Sequence, residues 1–390
     1  MSFAHAEKVE LVNNKLEIKI EVQPTGEKHP RHKKQNSELF AMRGIKSLYN
    51  GAPKWLRHVY LPRAVALAYR NRWLRTALNP KPKWAYLELT NKCDLRCKMC
   101  PYQTADRKTG YMTRPQFESY VNQLSEIGLD FLCLHFGGES LLHPCFEDFL
   151  KYAIHQRNKG RIGRVGWVDN GMLFNQVMAD LAVSLKVDFV IFSLDGIGQL
   201  NDNIRLGSKY SVIEKNIKYL LKKRGTARKP GVSLNVVDYG KTEEQKLEVY
   251  REWVHLVDEI VLIPSMLPDH TWDRKNTSSQ SLKTIPPPAF CHFPLNTIVI
   301  GWDGKVTGCC QDYTFKNDLG DATKKSIKQI WRGQKFQNLR EALLTHTVSQ
   351  DSPCYKCEWW QVNFEPRDEV ILDGKAIMNY GSITRTVRKA

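Results

Sequence analysis

The sequence predicts an α/β protein in three parts. A partial (β/α)6 barrel spans residues 84–285, a small C-terminal domain spans 286–390, and a basic extension, residues 1–83, comes first. Three observations predict this. From Trp84 to Ile263, short apolar runs alternate with helical patterns in about six units. A Pro-, Ser- and Thr-rich stretch, 266–289, with Pro286-Pro287-Pro288, separates that repeat from a region of different composition holding five of the ten cysteines. The charge excess is confined to one segment ahead of the repeat.

The 390 residues allow two or three domains at roughly 150 residues each. A hydrophobic share of 42% supports a buried core and excludes global disorder. No stretch reaches the ~18 apolar residues of a membrane span. The first ten residues lack the apolar centre of a secretory signal, so a cytoplasmic location is expected. Ten cysteines are too few for a disulfide scaffold, and their clustering points to metal in a reducing compartment.

In the extension, Lys28 to Lys83 hold fourteen Lys/Arg against one acid, Glu38, which is +13 of the chain's +17. The remainder is near balance, so a nucleic-acid partner is not expected. Val9–Val22 alternates as a strand or hairpin. Trp55–Leu78 reads as one or two helices broken near Pro62, with Trp55, Leu56, Val59, Leu67, Trp73, Leu74 and Leu78 supplying apolar surface and Arg57, Arg63, Arg70, Arg72 and Arg75 lining other positions. Such a helix packs on the main domain with its arginines solvated, lies peripherally on an anionic membrane surface, or meets an acidic partner.

Pro80-Lys81-Pro82 punctuates the end of the extension. Strands are then expected at Lys83–Thr90, Phe131–Phe136, Arg164–Val168, Phe189–Leu194, Val232–Val237 and Glu259–Ile263. Helices are expected at Pro144–Gln156, Val177–Leu185, Val212–Lys222 and Glu243–Leu256. This order implies a parallel sheet with crossover helices, and six units are too few for a full eight-stranded barrel.

Directly after the first strand comes Cys93-Asp-Leu-Arg-Cys97-Lys-Met-Cys100. Three thiols at this spacing can curl around one metal site. Structural zinc takes four ligands, so zinc would require a distant fourth residue. An iron–sulfur cube held by three cysteines keeps one iron open for an exogenous ligand. A loop at the carboxyl end of a β/α strand is where reactive groups sit.

With these residues the sequence resembles the radical S-adenosylmethionine superfamily, whose signature is this C-x3-C-x2-C triplet. Further landmarks follow in family order. Gly137-Gly138-Glu139 looks like the motif that binds the methionine amino group, here followed by Ser140 rather than the commoner Pro. Asn170-Gly171 resembles the element after the third strand, with Asp169 in the usual Thr place. Ser193-Leu194-Asp195-Gly196 ends the fourth strand, and Arg205 resembles the arginine that helps hold the ligand's carboxylate. The resemblance covers roughly 84–265. It implies S-adenosylmethionine bound by Gly137, Gly138, Glu139, Asn170, Ser193, Asp195 and Arg205, a cluster on Cys93, Cys97 and Cys100, and a flavodoxin- or ferredoxin-type electron donor.

The C-terminal region contains Cys291, Cys309, Cys310, Cys354 and Cys357, with an Asp-Gly hairpin turn at Gly301–Val306. Four thiolates from separate loops suit zinc or an iron–sulfur cube. This region, with Leu319-Gly320-Asp321 and a helix ending near Ile330-Trp331, resembles the SPASM/twitch extension of the superfamily. The resemblance implies a second [4Fe-4S] cluster on Cys291, Cys309, Cys354 and Cys357. Cys309 is chosen over Cys310 by family spacing, leaving Cys310, Cys133 and Cys145 as buried thiols. Four protein ligands saturate such a cluster and leave it an electron-transfer role.

The single-cluster layout is similar to the aminocyclitol dehydrogenase of the butirosin pathway. By analogy it implies oxidation of a small polyol, sugar or amino-sugar. The competing readings are a peptide- or protein-modifying maturase or epimerase, modification of a membrane lipid or lipid-linked glycan, and a non-enzymatic two-zinc module. His135 near the second strand end is a candidate acid/base group that also reads as a core histidine. Tyr102 and Gln103 are candidate pocket residues.

Overall fold

Strand-forming segments here are apolar on both faces, as a parallel sheet covered by helices requires. Phe189–Ser193 and Gly231–Asp238, for instance, are largely buried along their lengths. The computed structural model describes residues 81–101, 105–267, 271, 273, 275, 276, 291, 293–345, 347–358, 368–372, 375–379 and 384–388. The expected strand at Val9–Val22, the basic helices of Trp55–Leu78, Tyr102, Gln103 and the prolines at 286–288 lie outside the described residues.

In chain order the elements are β1 (Trp84–Leu87), β2 (Arg96–Cys97), α1 (Arg114–Ile127), β3 (Leu129–Cys133), α2 (Phe146–Asn158), β4 (Ile162–Asp169), α3 (Gln176–Ser184), β5 (Phe189–Ser193), α4 (Gln199–Ile204), β6 (Arg205–Leu206), α5 (Tyr210–Arg224), β7 (Gly231–Asp238), α6 (Glu243–Trp253) and β8 (Glu259–Pro264). The C-terminal region adds α7 (Phe293–Asn296), β9 (Thr297–Ile300), β10 (Lys305–Thr307), β11 (Gly320–Asp321), α8 (Ile327–Trp331), α9 (Gln334–Thr345), β12 (Asp368–Leu372), β13 (Lys375–Asn379) and β14 (Thr384–Arg388).

Strands β1, β3, β4, β5, β7 and β8 are parallel neighbours in that order, the six expected units. The sheet stays open and continues at both ends. Beyond β1 lie β9, in parallel, then β10 and β11; beyond β8 lie β14, β13 and β12, all antiparallel. The C-terminal region therefore joins the sheet at both edges, with β9 beside the strand that leads into the cysteine triplet and β14 beside β8. The register pairs Trp84 with Thr297 and Leu87 with Ile300.

Two differences from expectation have local causes. The first strand ends at Leu87, because Thr90 turns to bridge Tyr111 and donates from Oγ1 to Gly110 O at 2.6 Å. Helix α1 was not expected. A capping box starts it, with Thr113 and Gln116 each bonding the other's backbone and Pro115 in the first turn. Its Phe117 stacks on Phe149 of α2 at 4.0 Å, so α1 and α2 share one apolar layer over the sheet. In the C-terminal region the buried Arg340 of α9 donates to Pro294 O (2.9 Å) and Trp331 O (3.0 Å) and lies over the Trp331 ring. No described helix is long and apolar enough to cross a membrane.

Candidate active site

The triplet loop leaves β1 at the carboxyl end of the sheet. Its middle cysteine is fixed by backbone pairing: β2 pairs antiparallel with β6, setting Cys97 opposite Arg205. Arg96 braces the loop by donating to Cys93 O and Leu95 O, each at 2.8 Å. Asn170 ties the loop to the end of β4 through Nδ2 to Asp94 Oδ1, 2.7 Å.

A cavity of about 640 Å³ opens here, a usual size for a small-molecule site. Cys93, Cys97, Cys100, Gly137, Gly138, Glu139, Asn170, Ser193 and Arg205, all expected from the sequence, line it together. Asp195 differs from expectation. It stands behind the wall, fully buried, holding Arg205 Nη1 at 2.7 Å and accepting the Val237 N–H. Its carboxylate is occupied by the arginine, so it orients Arg205 rather than facing the cavity.

The site's electrostatics follow from burial. Glu139 accepts the N–H groups of Leu141 (3.0 Å) and Asn170 (2.9 Å), yet burial and neighbouring Asp169 push its carboxyl well above the usual range. Asp169 is raised to about 6 by burial, against hydrogen bonds from Trp167 Nε1 and Gly171 N–H. Burial raises the Cys93 thiol to about 12 and Cys97 to about 11. A cation at the triplet and an ammonium beside the carboxylates would each offset these costs.

The residues fit the groups the resemblance implies. Gly138 has φ +74°, and a Cβ there would meet Lys92 O at 2.4 Å, so glycine alone lets this backbone pass against the triplet loop. Arg205 lines the cavity with a buried Nε that has no hydrogen-bond partner, which brings a guanidinium charge to the wall where a carboxylate would sit. Among the described residues no three His, Cys, Asp or Glu side chains gather closely enough for a single ion. A four-iron cube spreads its thiolates over different corners and does not need that closeness.

The second cysteine set lies in apolar surroundings. Cys291, Cys309, Cys310 and Cys357 pack with Phe293, Val261, Ile263 and Met266. Burial pushes the Cys291 thiol far up, and neighbouring Cys309, Cys354 and Cys357 add to it, so the four expected ligands are brought together. Cys354 is raised to about 11 by burial and accepts from Asn317 Nδ2 at 3.3 Å. Cys310 also packs with the aromatic group of Phe136, Phe315, Tyr86 and Tyr313. Cys133 is buried as expected, and Cys145 is half-buried ahead of α2.

Sequence reasoning missed two features of the cavity wall. Arg107 forms a bidentate pair with the fully buried Glu88 (2.8 and 2.7 Å) and lies over the Phe315 ring. Tyr313 reaches the wall from the C-terminal region, with its hydroxyl on Gln311 Oε1 at 2.7 Å. Burial raises its phenol, and thiols of both sets, Cys310, Cys100 and Cys309, add to the shift. Glu88, set between the apolar Leu87 and Leu89, was the available signal for the first; nothing local marks Tyr313.

Comparison with known proteins agrees with this geometry. The Radical SAM superfamily model matches residues 87–252, and the SPASM iron-sulfur cluster-binding domain matches 291–358. The chain is 27% identical over 298 residues to the tungsten-containing aldehyde ferredoxin oxidoreductase cofactor-modifying protein of Pyrococcus furiosus, covering 65% of this chain and 82% of that one. In structure it is similar to Streptococcus suis SuiB bound to precursor peptide SuiA, at 15% identity, 85% of this chain, 82% of that chain and TM-score 0.57. BtrN in complex with AdoMet and 2-DOIA matches at 19% identity, 70% of this chain, 92% of that chain and TM-score 0.48. The likeness to SuiB shows the fold.

Proposed function

This chain belongs to the radical S-adenosylmethionine superfamily and carries its SPASM domain, and on that premise we propose that it oxidises a small polyol, sugar or amino-sugar. Its cofactors are S-adenosyl-L-methionine and two [4Fe-4S] clusters. We assign the first cluster to Cys93, Cys97 and Cys100 and the second to Cys291, Cys309, Cys354 and Cys357. When bound, these groups supply a 5′-deoxyadenosyl radical for hydrogen abstraction and an acceptor for the electron that an oxidation releases.

The chain's own residues do the positioning. Glu139, with Asp169 beside it, offers negative charge to the ligand's ammonium. Arg205, held by Asp195, offers its guanidinium to the carboxylate, and Gly138 lets the backbone before Glu139 pass against the triplet loop. Phe136 and Tyr313 supply an apolar wall that excludes water.

One observation carries the oxidation reading. Tyr313 lines the cavity together with Cys100 and packs with Cys310, Phe136 and Phe315 in one apolar group. A substrate against that wall would stand close to the second cysteine set. The cavity must also hold S-adenosylmethionine, which favours a small substrate. The Pyrococcus furiosus relative favours a second reading, a small cofactor precursor in the same cavity.

The test is anaerobic turnover of the reconstituted enzyme with deuterated inositols, alditols and amino-sugars. Deuterium in 5′-deoxyadenosine together with a ketone product is expected. No label from any of them, with label from a deuterated peptide instead, would replace the proposal.

A further inference from the structure

His135 follows β3 and lines the cavity two residues before Gly137. Its Nδ1 lies 3.3 Å from Ser140 Oγ, and Ser140 Oγ donates to Leu134 O at 2.8 Å. A hydroxyl has one hydrogen. Since Leu134 O takes it, Ser140 can only accept from the ring. The ring proton therefore sits on Nδ1, and Nε2 carries the lone pair. No hydrogen bond joins a described residue to Nε2. Burial, with the positive charge of Arg205 adding to it, lowers the ring's pKa to about 4, so the lone pair is present at neutral pH.

The other bases on the wall are committed. Glu139 holds two backbone N–H groups, and Asp169 holds Trp167 Nε1 and the Gly171 N–H. Phe136, next to His135 in sequence, stacks on Tyr313 with ring centroids 5.7 Å apart. His135 thus shares the cavity wall with Phe136 and Tyr313, and the charged neighbour of its ring is Arg205.

We propose that His135 Nε2 accepts the substrate's hydroxyl proton, with Ser140 as the residue that fixes its tautomer. The proposal rests on the oxidation reading above. Converting H–C–O–H to C=O breaks one C–H and one O–H bond. The hydrogen atom goes to the 5′-deoxyadenosyl radical, the remaining electron to the auxiliary iron–sulfur cluster, and the proton to Nε2.

The test uses the anaerobic holoenzyme and whichever of the deuterated polyols transfers its label. His135→Gln and His135→Phe should bind S-adenosylmethionine as the parent does in equilibrium dialysis. Their ratio of 5′-deoxyadenosine to ketone should rise ~10²-fold or more, the scale of a lost general base. Ser140→Ala should raise the ratio less, and Ser140→Thr, which keeps the hydroxyl, should restore it. Diethyl pyrocarbonate, which acylates unprotonated imidazole nitrogen, should mark His135 at neutral pH by mass spectrometry. An unchanged ratio in both His135 variants, weakened S-adenosylmethionine binding, or an unmarked His135 overturns the proposal. A parent enzyme that transfers label without forming ketone fails at the level of the reaction, a result visible before any variant is made.

Discussion

The two cysteine sets are built in opposite ways. Cys93, Cys97 and Cys100 come from a single loop, fixed by a two-residue strand pair and open to a cavity lined with charged groups. Cys291, Cys309, Cys354 and Cys357 come from scattered points of the C-terminal region; Cys291, Cys309 and Cys357 pack with Phe293 and side chains of β8, and Cys354 accepts from Asn317. Each region also contains a buried arginine. Arg205 is paired with Asp195, whereas Arg340 is held by two carbonyl oxygens and two aromatic faces. The contrast fits the proposed division of labour: a set meant to bind and release a charged ligand faces compensating charges, and a set meant only to exchange electrons sits among apolar side chains.

The sharpest break of that comparison is chemical. Replacing Cys93, Cys97 and Cys100 together with Ala should abolish S-adenosylmethionine cleavage and halve the iron content, read by product chromatography and iron analysis. Cys354→Ala should also remove half the iron but retain part of the cleavage while the ketone is lost. Equal loss of cleavage in both variants would erase the proposed division.

Two smaller effects sharpen it. Asp169 is raised to about 6, so it is ionised above that pH and protonated below it. An ammonium ligand prefers the ionised form. Affinity for S-adenosylmethionine should therefore fall as pH drops below about 6, by up to ~10-fold per pH unit, and Asp169→Asn should flatten that limb in equilibrium dialysis. Arg340→Ala removes charged hydrogen bonds to Pro294 O and Trp331 O. It should cost about 1.5–3 kcal/mol each way the unfolding is followed, with the second cluster's absorbance bleaching before the first's.

The same contrast decides what could be read in the sequence. The triplet was legible because its spacing is local, and so was the β–α alternation, since each unit carries its own periodicity. The Asp303-Gly304 turn was legible too, and it closes the β9–β10 hairpin with Gly304 at φ +86°. Helix α1 is hard to read because its start signal, Thr113-Arg-Pro-Gln116, carries its capping side chain on Gln rather than the commoner Glu. The β1–β9 pairing, the Glu88–Arg107 pair against Phe315 and the position of Tyr313 depend on contacts between distant residues, which no local pattern encodes. Asp195 stands out by its motif, but only the geometry shows that it pairs with Arg205 behind the cavity wall.

The parallel seat of β9 beside β1 bears on biosynthesis. Until Ile300 has left the ribosome, β1 exposes a row of unmet peptide groups next to the triplet loop, an invitation to pair with another nascent chain. Premature termination before Thr297 should give sticky, aggregating fragments, and delivery of iron to the loop is best delayed until translation has passed that point.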